Sequence, residues 1–288
     1  MVFVAIVVLC VLSAVVYTVF AARRAAQRAQ VVSANVASPD ALTAVVKQPH
    51  LVFVDDASRH IAVAPLSAPD GPRLLTPLAC QRVYVAADQG LCLASNAVGT
   101  VDNGGTYSFD TSFTVTHTYP ELGLPSRVRL SPHGTLGATT VFVAGDSYNA
   151  AGLSTRTNLF DIQNGVELDD LEDFSVYFGN KPFQSADFNF WGVTFASDDD
   201  EFYATLGTGG TTYLVHGNRD GHMEVVRENV ECPSLSPDNT RIVFKERAKE
   251  PNVARFPRVV EFGPQRIGEL VDDARHIEVG EIRKIFLG

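Results

Sequence analysis

Leu130-Ser-Pro-His-Gly-Thr-Leu-Gly-Ala-Thr-Thr-Val-Phe142 and Leu235-Ser-Pro-Asp-Asn-Thr-Arg-Ile-Val-Phe244 carry one pattern twice. An apolar residue and a serine lead into a short turn, and an apolar strand follows. A looser copy, Phe195-Ala-Ser-Asp-Asp-Asp-Glu-Phe-Tyr-Ala-Thr205, lies between them. The turn has a physical basis: Pro132 and Pro237 preset φ at the second position, while Asp198, Asp238 and Asn239 bond back to the backbone or tolerate left-handed φ. Aligned on Ser131, Ser197 and Ser236, the copies are 66 and 39 residues apart. The second spacing matches the ~40 residues of a four-stranded propeller blade. The first is a blade with an insertion, at residues 145–157 or 171–186. Ser-Pro-Asp is also a common turn on its own, and it recurs at Ser38-Pro39-Asp40 with no strand after it.

Around these copies the chain reads as short strands. Beyond Pro49, runs such as Leu51-Val-Phe-Val-Asp55 and Ile61-Ala-Val-Ala-Pro-Leu66 alternate with Gly, Pro, Asp and Asn clusters, with little helical periodicity. That pattern is all-β and antiparallel. Residues just after each turn (Val141, Phe142, Phe202, Tyr203, Ile242 and Phe244) are expected in the core.

Several stretches resemble a known family. Leu235 to Phe244 is similar to the repeat of TolB-type six-bladed propellers. Phe188-Asn-Phe-Trp-Gly-Val-Thr-Phe195, Val230-Glu-Cys-Pro-Ser-Leu-Ser-Pro-Asp238, Cys80-Gln-Arg-Val-Tyr84 and Pro125-Ser-Arg-Val-Arg-Leu-Ser-Pro132 resemble membrane-anchored TolB-like proteins of actinobacteria. The resemblance spans about residues 51–245. It implies a propeller outside the cytoplasm, tethered to a membrane, that binds partners and catalyses nothing. TolB propellers also carry an N-terminal α/β domain, for which this chain has no room. Past Arg247 the pattern fades, apart from Val271-Asp-Asp273. At ~40 residues per blade there is space for five clear blades and an incomplete or atypical sixth. The tail therefore forms an unusual last blade, or the chain is truncated.

Met1 to Ala22 contains no charged residue. About 20 apolar residues span a bilayer core as a helix. Residues 1–22 are thus expected to be a transmembrane helix, 23–49 a juxtamembrane helix and linker, and 50–288 the propeller. A cleaved signal peptide is the alternative, but the basic n-region is missing and the apolar core is long. Arg23, Arg24 and Arg28 follow the helix, which by the positive-inside bias favours a cytoplasmic C-terminal side. The family resemblance favours the opposite side.

The formal net charge of −10 leaves no basic footprint for phosphate backbones, so nucleic acid is not an expected partner. A single-span membrane contact and another envelope protein are. Four cysteines are too few for a disulfide framework. Cys80 and Cys92 could be buried thiols or a bridge. A turn at residues 87–90 brings their segments together, but a simple turn there would set Cys92 opposite Val85, so a bridge needs the chain to curl.

No catalytic motif appears. Gly145-Asp-Ser-Tyr-Asn149 and Gly152-Leu-Ser-Thr-Arg156 both lack the final glycine of a nucleophile elbow. His-Glu-x-x-His, paired Cys-x-x-Cys and P-loop patterns are missing. His216 and His222 flank a hairpin turn, which reads more simply as solvated than as a ligand pair. Asp198-Asp-Asp-Glu201 and Asp169-Asp-Leu-Glu-Asp173 offer hard oxygen ligands without the alternating spacing of a calcium loop. Trp191 suits blade packing or a stacking platform. No catalytic, cofactor-binding or metal-binding residue is assigned. The alternative function is a lactonase- or cyclotransferase-type enzyme with a channel metal, which requires Asp, Glu or His converging from several blades.

Overall fold

The computed structural model describes residues 2–94, 105–121, 123–144, 153–246, 257–261 and 275–276. The chain falls into two compact units, Met1–Ala79 and Cys80–Gly288.

The first unit begins with α1 (Val2–Asn35). At 1.5 Å per residue, its 34 residues extend about 51 Å, longer than a ~30 Å hydrocarbon core. Its window Ile6–Arg23 has a mean hydropathy of 2.3 and is long and apolar enough to cross a membrane. Two hydroxyls inside the window are satisfied by the helix itself: Ser13 Oγ donates to Leu9 O and Thr18 Oγ1 to Val15 O. The short α2 (Pro39–Val46) follows, with Ser38 as N-cap accepting from Ala41 N and proline at the first position. Here Ser-Pro-Asp opens a helix instead of a hairpin: Ser38 caps it, and Leu42 and Val45 form its buried side. Strands β1 (His50–Val54), β2 (His60–Pro65) and β3 (Leu74–Ala79) form an antiparallel meander.

Among the described residues, the second unit holds four sheets. In chain order the first comprises β4 (Arg82–Ala86), β5 (Gln89–Ala94), β6 (Gly105–Asp110) and β7 (Val115–Tyr119). The second comprises β8 (Leu124–Leu130), β9 (Leu136–Ala144), β10 (Leu153–Asp161) and β11 (Val166–Asp170). Next come a 3-10 turn at Leu171–Asp173 and the small strands β12 (Ser175–Phe178) and β13 (Lys181–Pro182). The third sheet is β14 (Asn189–Phe195), β15 (Glu201–Thr208), β16 (Thr211–Asn218) and β17 (His222–Glu228). The fourth is β18 (Val230–Leu235), β19 (Arg241–Glu246), β20 (Pro257–Glu261) and β21 (Arg275–His276). The tail residues beyond Arg247 thus contribute β20 and β21 to the fourth sheet; the Val271-Asp-Asp273 echo lies outside the described residues.

Of the two insertion candidates, the second explains the long spacing. β12 pairs in parallel with β17, and β12–β13 extend the third sheet to six strands. This ribbon covers the hydrogen-bonding edge of β17, where an open strand would invite pairing with another chain. It is held by Phe174 and Val176, both buried, and by Phe183 packed edge-on to Phe188 and Tyr213. Of the first candidate, residues 153–157 belong to β10 and 145–152 lie outside the described residues.

In β5, β9, β15 and β19, the second strands of the four sheets, the central residues are buried on both faces. Phe202, Tyr203, Val141 and Ile242 are fully buried and Phe244 nearly so. Phe142 departs from the expectation: it is 43% exposed, since it lies near the end of β9 opposite Leu124, itself exposed.

Candidate functional site

Two regions of the second unit could carry function: the row of turns after each sheet's first strand, and the cavity those first strands enclose.

The turn row is a set of equivalent positions. Ser131 N donates to Leu136 O and Gly134 N to Ser131 O; Ser236 N donates to Arg241 O and Asn239 N to Ser236 O. In the third sheet the same two bonds are made by Ala196 N to Glu201 O and Asp199 N to Ala196 O. The residue equivalent to Ser131 and Ser236 is therefore Ala196, and the alignment on Ser197 is corrected by one position. Ser197 stands where Pro132 and Pro237 stand, and Asp198 matches Asp238. Gly134, Asp199 and Asn239 share the left-handed position at φ 72°, 60° and 56°. The β1–β2 turn makes the first of these bonds too, Asp55 N to His60 O, a copy that its sequence conceals.

These left-handed residues link one turn to the next. A Cβ on Gly134 would lie 3.0 Å from Gln89 Cβ and 3.1 Å from Ala86 O, so glycine lets the turn abut the β4–β5 hairpin. Asp199 accepts from His133 N (3.2 Å) and Thr135 Oγ1 (2.9 Å) in the preceding sheet. Asn239 accepts from Ser197 N at 3.2 Å and donates to Ser197 Oγ. Asp238 is engaged within its own turn by Ser236 Oγ and by Thr240 N and Oγ1, which hold its carboxyl well below the usual range. In the acidic run, Asp198 accepts from Asp200 N and Glu201 N. In the other run, Asp170 caps Glu172 N and pairs with Arg156 at 3.3 Å.

The remaining sequence candidates are separated. His216 stacks on Tyr203 and His222 on Tyr177. Trp191 is half-buried and packs over Gly207, where a Cβ would meet its ring at 2.8 Å. Cys80 and Cys92 are joined, with Sγ–Sγ 2.06 Å and Cα–Cα 5.9 Å. The β4–β5 turn is centred on Ala87-Asp88, so Cys92 pairs with Val83, not Val85. Cys80 curls back over the end of the hairpin, as Gln81 N bonding to Leu93 O shows.

The cavity is the feature the sequence reading missed. It has a volume of about 480 Å³ and is lined by the first strands β4, β8, β14 and β18, with β9 behind. Three of those strands break register at this level: β8 between Pro125 and Arg127, β14 between Trp191 and Thr194, β18 between Glu231 and Ser234. Such bulges re-aim side chains and cluster beside functional sites. Gly192 (φ 71°) and Cys232 (φ 53°) form two of them, and the missing Cβ of Gly192 admits the Cys232 backbone. Cys232 N is held by Thr205 Oγ1 at 2.9 Å.

Into this cavity come Arg82, Arg127 and Arg129. Arg82 Nε donates to Ser126 O (2.9 Å). From β8, Arg127 Nη2 reaches Cys232 Sγ (3.3 Å) and Arg129 Nη2 reaches Ser234 Oγ (3.4 Å), both on β18. The Arg129 guanidinium also lies 4.7 Å over the Tyr84 ring. Among the described residues, no Asp, Glu or His lines the cavity. The signals that could have found it were Pro125, Gly192 and Pro233 inside strands, where such residues mark bulges, and the i, i+2 spacing of Arg127 and Arg129.

Sheets that each begin with a strand along a shared cavity, succeed one another along the chain and touch through their first turns define the architecture. The fold is a TolB-like β-propeller. In agreement, the chain superposes on the putative TolB of Agrobacterium tumefaciens with a TM-score of 0.52, at 14% identity, over 84% of this chain and 78% of that one. TolB from Acinetobacter baumannii aligns at 0.48 and 18% identity over 77% of this chain, which spans only 50% of that protein. The Swd1 β-propeller domain of Myceliophteria thermophila aligns at 0.47 and 11% identity, over 75% of this chain and 62% of that domain. No protein-family model and no curated protein matches the sequence.

Proposed function

We propose that this TolB-like chain is a membrane-tethered, extracytoplasmic binding scaffold that takes its partner, another envelope protein, at the arginine-lined cavity and performs no catalysis. The observation that carries this reading is the cavity lining: three arginines, small polar groups and aliphatic side chains, held by bulged strands. Such a lining binds and orients. A channel-metal enzyme would need carboxylates or imidazoles brought together, and among the described residues no group of three His, Cys, Asp or Glu side chains is placed to hold a metal.

In this reading residues 1–22 are the span, 23–49 a juxtamembrane helix and linker, and 50–288 the propeller. The apolar helix α1 supports the tether. Arg23, Arg24 and Arg28 bias the other orientation, but large domains translocate largely regardless of charge. A Cys80–Cys92 bridge favours the outward side, because such bonds persist in oxidising compartments.

Protease added to intact spheroplasts tests the placement. Digestion of the propeller without lysis is expected; protection until lysis overturns the outward reading. Capture from detergent-solubilised membranes, with the wild-type chain and an Arg82→Ala/Arg127→Ala/Arg129→Ala chain side by side, tests the docking site. Loss of specific bands with the triple variant is expected. Identical capture by both chains moves docking away from the cavity.

A further inference from the structure

We infer that the cavity binds a small multivalent oxyanion, a phosphoryl or polycarboxylate group, through Arg82, Arg127 and Arg129. This rests on the reading of the cavity as a binding site and assigns the ligand's chemistry.

Three observations converge. First, charge: a chain of formal net charge −10 gathers three guanidinium groups in one cavity. Among the described residues none of the three makes an ion pair, although Arg59, Arg73, Arg156, Arg219 and Arg241 all do. Clustered like charges repel, so the arrangement favours a bound counter-charge. Second, hydrogen bonding: each guanidinium carries five N–H donors, and the named acceptors occupy one or two per residue. The remaining forks match the paired oxygens of carboxylate or phosphate. Third, size and positioning. A cavity of about 480 Å³ has room for one such anionic group. Arg82 is steadied by two backbone carbonyls, Arg127 and Arg129 by groups on β18, and Arg129 also by Tyr84. Holding them there lowers the ordering cost of binding.

The test uses the full chain in neutral detergent and chloride buffer of fixed ionic strength. Inorganic phosphate and citrate are titrated separately by calorimetry, with thermal unfolding in parallel. Saturable binding of at least one, with a rise in unfolding temperature, is expected, weakening as salt is added. Arg127→Ala and Arg129→Ala should each lower affinity roughly 10-fold or more, the scale of one charge-assisted hydrogen bond. Arg127→Lys, which keeps the charge and loses the fork, should fall between. Phosphate alone binding assigns phosphoryl groups, citrate alone assigns carboxylates, and both binding assigns the shared oxyanion chemistry. Neither binding to the wild-type chain overturns the inference, whatever the variants do. The partner-capture experiment is read separately: oxyanion binding with unchanged capture sinks the docking site alone, and lost capture without oxyanion binding sinks the oxyanion alone.

Discussion

The turn row and the cavity lie along the same four first strands, yet they are built on opposite rules. In the turns, residue identity dictates backbone geometry: proline presets φ, and Gly134, Asp199 or Asn239 occupies the left-handed position. Asp198, Asp199, Asp238 and Asn239 are spent on their own turn or the neighbouring one. In the cavity, bulges dictate where side chains point, and the arginine donors are left largely unspent. The contrast separates what holds the propeller together from what it presents to others. It also forecasts that substitutions in the two regions should differ in kind.

The largest stability effect belongs to the strand that follows a turn. Phe244 is 2% exposed and packs with Tyr203, Leu214 and Ile242. Phe244→Ala should cost about 3–5 kcal/mol in chemical denaturation. A loss below about 1 kcal/mol would mean that the strand is not core. Next comes the link between turns. Asp199→Ala removes the acceptor shared by His133 N and Thr135 Oγ1 and should cost about 1.5–3 kcal/mol. Asp199→Gly, which eases the left-handed φ, should recover part of that loss. Full recovery would show that backbone strain, not the link, sets the cost.

A third effect is read in pH. Glu121 is 8% exposed and accepts from Thr106 and from Thr139 Oγ1 (2.6 Å), joining β6 to β9 of the next sheet. Burial raises its pKa above the usual carboxylate value, against the two hydroxyl bonds that lower it. The folded state then holds this proton more tightly than the unfolded state. Its contribution is complete below the ordinary carboxyl pKa and is lost as pH rises through the raised one. Glu121→Gln should flatten stability across that window and raise it at neutral pH; an unchanged pH slope would contradict the burial argument. The smallest stability effect is expected in the cavity itself. Arg82→Ala and Arg127→Ala should change stability by no more than about 0.5 kcal/mol, as at ordinary exposed sites, while affecting binding. A large destabilisation would make the arginines structural.

The same contrast explains what was legible in the sequence. The blades were legible because a Ser-Pro turn followed by an apolar strand is a local code, and Ser131 and Ser236 do occupy matching positions. The register of the third copy was not: Ser197 looks like their counterpart, but backbone bonds select Ala196, which has no hydroxyl to advertise the match. The β12–β13 ribbon was legible only as an excess of residues, since its parallel pairing with β17 depends on a strand about 50 residues further along the chain. The cavity was hidden for a related reason. Arg82, Arg127 and Cys232 are far apart in sequence, and no single stretch shows that they meet.

Cys232 allows the most direct test of the cavity as a binding site. In a Cys10→Ser chain under non-reducing conditions, with Cys80 and Cys92 bridged, it is the single free thiol, and its Sγ lies 3.3 Å from Arg127 Nη2. The rate of its labelling by a small maleimide in the folded protein reports on the cavity. The account predicts labelling without denaturant, slowed several-fold by phosphate or citrate relative to chloride of equal ionic strength, with the slowing abolished by Arg127→Ala/Arg129→Ala. A thiol that reacts only on unfolding, or one that either oxyanion leaves equally reactive, would contradict it.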